Sequence, residues 1–125
     1  MGFMNLAYPL TIETLEAILQ DEIPDEILLQ IIWHCLGYQF NCAENRWTCD
    51  EVPPPWHENY PEPPDFINNR AAIVQLNRSI AAEHKQLLKQ ELGFKGYKIS
   101  QLNPRLTRRA TIANWLLSYL RLNAS

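Results

Sequence analysis

Arg105, Arg108 and Arg109 stand at i, i+3 and i+4 of a segment that opens on Asn103-Pro104. On a helix they share one face. They occupy its first two turns, where the backbone dipole favours negative charge rather than positive. The chemistry this suits is anion binding, because exposed N–H groups at a helix start and arginine forks both take phosphate or carboxylate. Lys95 and Lys98, in the turn marked by Gly93 and Gly96, could converge on the same place.

The anion has two candidate sources. Residues 1–69 carry twelve acidic side chains and one basic, Arg46, while residues 70–125 carry ten basic and two acidic, Glu83 and Glu91. The local balances of −11 and +8 are hidden in a total of −3. Either the acidic half supplies carboxylates to the arginines, or the cationic face meets an acidic protein or a phosphorylated ligand. Nucleic acid is a further partner to weigh, since Phe94 and Tyr97 interleave with Lys95 and Lys98 as in a stacking surface.

Other chemistries find little support. His34, Cys35, Cys42, Cys49 and His57 contain metal-ligand types, but six residues separate successive cysteines, unlike the short pairs of zinc modules. His57-Glu58-Asn59-Tyr60-Pro61 begins like a zinc-protease helix and has proline where the second histidine belongs. No nucleophile elbow, phosphate loop or dinucleotide fingerprint is found. His84 reads as a hydrogen-bonded core histidine. No cofactor or metal is expected, and an enzyme would need a site without a recognisable motif.

The elements that must position these residues follow from spacing. Thr11 suits an N-cap, and Ile12, Leu15, Ile18 and Leu19 predict a first helix over about 12–20. Asp21-Glu22-Ile23 is a turn. A second helix runs from Pro24 to Leu36, stops at Gly37 and is apolar on most sides, as a buried helix is. It carries no Lys or Arg, so it does not suit the reading helix of a helix-turn-helix.

Tyr38–Phe40 and Arg46–Thr48 predict a hairpin. Residues 52–64 hold six prolines and read as an extended connector anchored by Trp56 and Tyr60. One helical turn is expected over Asp65–Asn69. Alternation predicts a strand over 72–78, and Ser79 a cap for a third helix over about 80–92 that Gly93 ends. Phe94–Ile99 reads as a short strand, and 104–122 as the longest helix, the core partner of the second.

Apolar residues make up 46% and charged residues 20%, a globular balance in a chain long enough to fold without staples. No apolar run reaches membrane-spanning length. The N-terminal arm, 1–10, lacks the basic start of a signal peptide, and three cysteines are an odd number. A reducing, cytoplasmic setting is expected.

Leu36-Gly37-Tyr38, Pro63-Pro64-Asp65-Phe66-Ile67, Lys85-Gln86-Leu87-Leu88-Lys89, Leu92 through Ile99 and Arg105 through Tyr119 form a pattern over nearly the whole chain, from about Leu10 to Leu122. It resembles a small family found in cyanobacteria and plastid-bearing eukaryotes, the domain of unknown function 1823 (DUF1823). The resemblance implies a cyanobacterial, cytosolic source and brings no activity, cofactor or catalytic residue with it.

The expectation is a single α+β domain over 1–125: about four helices on an antiparallel sheet of three to four short strands, with a proline-rich connector outside. Its expected role is a non-enzymatic interaction module whose cationic C-terminal face, Arg105, Arg108, Arg109, Lys95 and Lys98, binds an anionic partner. A nucleic-acid binder using the same face is the alternative.

Overall fold

The computed structural model describes residues 10–98 and 103–123. The N-terminal arm, apart from Leu10, and Ile99 lie outside that set.

Thr11 Oγ1 accepts from the Thr14 backbone N–H at 3.2 Å and starts helix α1, Ile12–Leu19. Leu15, Ile18 and Leu19 face the core. A turn with Asp21 in the left-handed region (φ 61°) leads to α2, Asp25–Leu36, whose first turn holds Asp25 and Glu26 at the favourable end of the dipole. Gly37 ends α2 at φ 110°, a conformation that strains any residue with a Cβ. A Cβ there would also lie 2.6 Å from the Glu51 carbonyl oxygen.

Strands β1 (Gln39–Asn41) and β2 (Arg46–Thr48) form an antiparallel hairpin with Phe40 opposite Trp47. Two strands, not three or four, make up the sheet among the described residues. The proline segment is not extended throughout. It holds helix α3, Pro54–Asn59, because proline is tolerated in a first helical turn, where its missing N–H would have no partner anyway. Trp56 and Tyr60 do anchor this segment: Trp56 is buried with its ring 5.5 Å from Phe66, and the Tyr60 carbonyl accepts from the buried Tyr38 hydroxyl at 2.6 Å. One turn closes over Asp65–Asn69, where Asn69 N–H donates to the Asp65 carbonyl.

The strand expected over 72–78 is helix α4, Arg70–Ser79. Asn69 caps it through its side chain, and Ala72, Ile73 and Leu76 are its buried residues, a spacing of helical period. Alternation of small and apolar residues misled because Val74 faces outward. The single helix expected over 80–92 is divided into one 3-10 turn, Ala82–His84, and helix α5, Leu87–Leu92. Residues 94–98 form no strand.

Asn103 Oδ1 accepts from Leu106 N–H at 2.8 Å and opens α6, Pro104–Leu122, as the sequence predicts. It lies most extensively along α1, then α4 and α5, with α2 a lesser neighbour rather than its principal core partner. Ile112, Leu116 and Leu117 are fully buried in that seam, each worth about 2 kcal/mol of apolar transfer. Half of the apolar side chains of α2 (Ile27, Leu29, Trp33, Cys35) are only half-buried, so α2 is not the enclosed helix its composition predicts. The result is a helix-rich α+β architecture. Among the described residues no helix is long and apolar enough to cross a membrane.

Candidate functional site

The α1–α2 turn brings two carboxylates to the start of α6, and they fill the arginine forks. Arg105 holds Asp21 with two parallel hydrogen bonds, Nη1 at 3.0 Å and Nη2 at 2.7 Å, and donates from Nε to Asp25 at 2.9 Å. Arg109 is 0% exposed. Its Nη1 donates to Asp25 Oδ1 at 2.7 Å, and its Nη2 to the carbonyls of Ile23 (2.7 Å) and Ile18 (3.1 Å). Its Nε makes no hydrogen bond and lies 3.6 Å from Asp21 Oδ1. Arg108 turns elsewhere and donates to the Ile67 carbonyl at 2.6 Å.

The outward-facing trio expected from the sequence is therefore corrected. Two forks are taken by the chain's own aspartates, and the third arginine ties α6 to the loop before α4. Three cations at a helix start are tolerable here because Asp21 and Asp25 supply the negative charge that the dipole asks for. Arg109 also places a cation at the C-terminal end of α1, where carbonyls lack helical partners. The arginine hydrogen bonds to Asp21 outweigh its burial and hold its carboxyl below the ordinary 3.8. For Asp25, burial works against ionisation most strongly, and hydrogen bonds from Arg105 and Arg109 still prevail, lowering it from 3.8.

The stacking surface is corrected too. Phe94 packs half-buried against the core, its ring 5.0 Å from Tyr97, and the Tyr97 hydroxyl donates to the Leu19 carbonyl at 2.9 Å. Tyr97 is spent on the fold, and Phe94 packs against the core while one side of it borders the cleft between α5 and α6.

What remains cationic is a set that shares Lys95 and Arg108 with the expected face. Arg121 pairs with Glu91. Arg70, Arg78, Lys85, Lys89, Lys95 and Arg108 have no carboxylate partner among the described residues. Three of them, Lys85, Lys89 and Lys95, line one cleft of about 290 Å3 between α5, the end of α4 and the first turns of α6. Lys85 follows the 3-10 turn, and its Nζ donates to the Asn77 carbonyl at the end of α4. Lys89 projects from α5, and Lys95 sits between Gly93 (φ 69°) and Gly96 (φ 109°), whose left-handed backbone turns the chain back over α6. Asn77, Gln86, Thr107 and Thr111 add neutral polar groups, and among the described residues no carboxylate lines the cleft.

Asn114 fixes the floor of the cleft: its Oδ1 accepts from Leu88 N–H at 3.2 Å and its Nδ2 donates to the His84 carbonyl at 3.1 Å. Lys98 is exposed and does not border the cleft.

Sequence reasoning singled out Lys95 and missed Lys85 and Lys89. Their spacing of four within the helix expected over about 80–92 was the available signal, although the structure breaks that helix between them. His84 does sit half-buried with Nδ1 2.7 Å from Ser118 Oγ, but Ser118 is buried and borders no described cleft. Among the described residues no three His, Cys, Asp or Glu side chains converge on a metal position.

The comparisons agree with this architecture. A family model for a domain of unknown function, DUF1823, matches residues 9–121. A solution NMR structure is similar at 51% sequence identity and a TM-score of 0.83, covering 98% of this chain and 100% of that one. No curated protein matches.

Proposed function

The chain belongs to the DUF1823 family, and we propose that it is a cytoplasmic, non-enzymatic interaction module that holds an acidic or phosphorylated segment of a protein partner in the lysine-lined cleft. The observation that carries this reading is that Lys85, Lys89 and Lys95 border one recess with no carboxylate among the described residues of its walls. Three ammonium groups held together repel one another, and an anion placed among them relieves that repulsion. Lysine is a flexible point charge with three donors, suited to phosphate or carboxylate without a fixed fork. Arg105 and Arg109 serve this site indirectly. They lock the first turns of α6 against the α1–α2 turn and so hold Thr107 and Thr111 in place as a wall.

Nucleic acid fits less well. A strand is held by several stacking platforms along a charged groove. Of the two rings beside Lys95 and Lys98, Tyr97 is tied to the Leu19 carbonyl, which leaves the half-buried Phe94 as a single ring at the cleft.

The test is fluorescence anisotropy with a labelled peptide of alternating aspartate and phosphoserine. Each exposed lysine contact contributes up to about 1 kcal/mol, so Lys85→Glu/Lys89→Glu/Lys95→Glu weakens binding at least about tenfold. Affinity also falls as salt rises. Equal binding by the triple variant, or stronger retention of a single-stranded oligonucleotide than of the peptide, contradicts the reading.

A further inference from the structure

A second recess has the opposite character. It measures about 880 Å3 and runs between β2 and the segment Asn59–Pro63. Five consecutive residues, Arg46 to Asp50, border it, so it follows the strand and continues beyond its end.

Three features describe its occupant. The first is an apolar wall made in advance. Trp33 and Trp47 meet edge-to-face at 5.2 Å, and the Trp33 Nε1–H donates to the Pro64 carbonyl at 2.7 Å, which fixes that ring. Phe40 supports Trp47 from behind at 5.5 Å, and Tyr60 borders the same recess. Such rings offer large contact area at little cost in side-chain entropy. The second is an open strand edge. β2 pairs only with β1 among the described residues, so its other edge has backbone groups without a strand beside them. An edge of this kind accepts an added strand. The third is charge. Asp50 and Glu62 border the recess, both exposed, and neither has an ion-pair partner within 4 Å among the described residues, though Asp50 feels Arg46 at longer range. The one cation there, Arg46, already pairs with Glu44 at 2.6 Å.

We propose that this groove docks an extended, basic peptide segment of a partner protein, which adds along β2, lays apolar or proline residues on Trp33 and Trp47, and meets Asp50 and Glu62 with Lys or Arg. The alternating rise of a strand places every second side chain on the tryptophan face. The inference is independent of the lysine cleft, which uses other residues and the opposite charge.

The experiment is selection of a phage-displayed library of random twelve-residue peptides on the full chain, followed by binding of the recovered peptides in solution. Enrichment in Lys and Arg is expected. Asp50→Lys/Glu62→Lys, two exposed changes checked for folding by circular dichroism, weakens the best peptide at least tenfold. Amide exchange of β2 slows in the complex. Four results overturn the proposal: no enriched sequences, enrichment in acidic or uncharged peptides, undiminished binding by the charge-reversed variant, or a dimer of this chain that already covers β2.

Discussion

Arg109 and Asp25, 84 residues apart in the chain, meet at 2.7 Å with the arginine wholly enclosed. The contact joins the start of α2 to the second turn of α6. Ile18 and Ile23 add their carbonyls, so one guanidinium holds both sides of the α1–α2 turn. The polarity of the chain thus closes partly on itself at this point, and the cationic surface left over lies elsewhere.

Removal of Arg109 takes one donor from the half-buried Asp25, which keeps Arg105, and one from the Ile18 carbonyl, which keeps the Asp21 N–H. It also strips the Ile23 carbonyl of its Arg109 donor and empties the space of a wholly buried side chain. Arg109→Ala therefore costs about 3–5 kcal/mol, as for one partner taken from a buried pair. Arg105→Ala, at a partly exposed position, costs about 1 kcal/mol. Urea unfolding of the two variants measures the difference. Equal costs would mean that burial of Arg109 adds nothing.

The same cluster sets an acid limb. Asp21 and Asp25 ionise more readily in the folded chain than at their ordinary 3.8. The unfolded chain then binds more protons as pH falls towards and below that value, so their stabilisation is present above it and is lost as pH drops through the lowered folded values. Asp21→Asn/Asp25→Asn lowers stability at neutral pH and flattens the curve below about pH 4. Thermal unfolding from pH 7 to pH 2.5 is the measurement, and parallel curves for variant and parent would contradict the assignment.

Burial pushes the Cys35 thiol up to about 12, so almost none is thiolate at neutral pH, the form that reacts. Cys42 is exposed. Iodoacetamide at pH 8 modifies Cys42 first, and Cys35 reacts only after denaturant is added. Peptide mass spectrometry reads the order, and early labelling of Cys35 would show that α2 opens readily.

The sequence marks α1, α2 and α6 clearly, because Thr11, Gly37 and Asn103-Pro104 are strong end signals and the apolar spacing between them is unambiguous. It hides α4, since Ala72, Val74 and Leu76 alternate while the buried set is Ala72, Ile73 and Leu76. It hides α3 because prolines that start a helix look locally like prolines that forbid one. The charge asymmetry was legible and the pairing was not. Asp21 and Asp25 share the spacing of Arg105 and Arg109, but only the packing of α6 along α1 brings the pairs together. The lysine cleft depends on a fold-back at Gly93 and Gly96 that local spacing does not reveal.

The most direct measurement is a nitrogen-15 NMR titration of the full chain with the aspartate–phosphoserine peptide. Shift changes are expected at Lys85 through Lys95, Thr107 and Thr111, with Arg105 and Arg109 unmoved, and they vanish in Lys85→Glu/Lys89→Glu/Lys95→Glu. No shift at millimolar peptide, or shifts that persist in that variant, would contradict an anion site in the cleft.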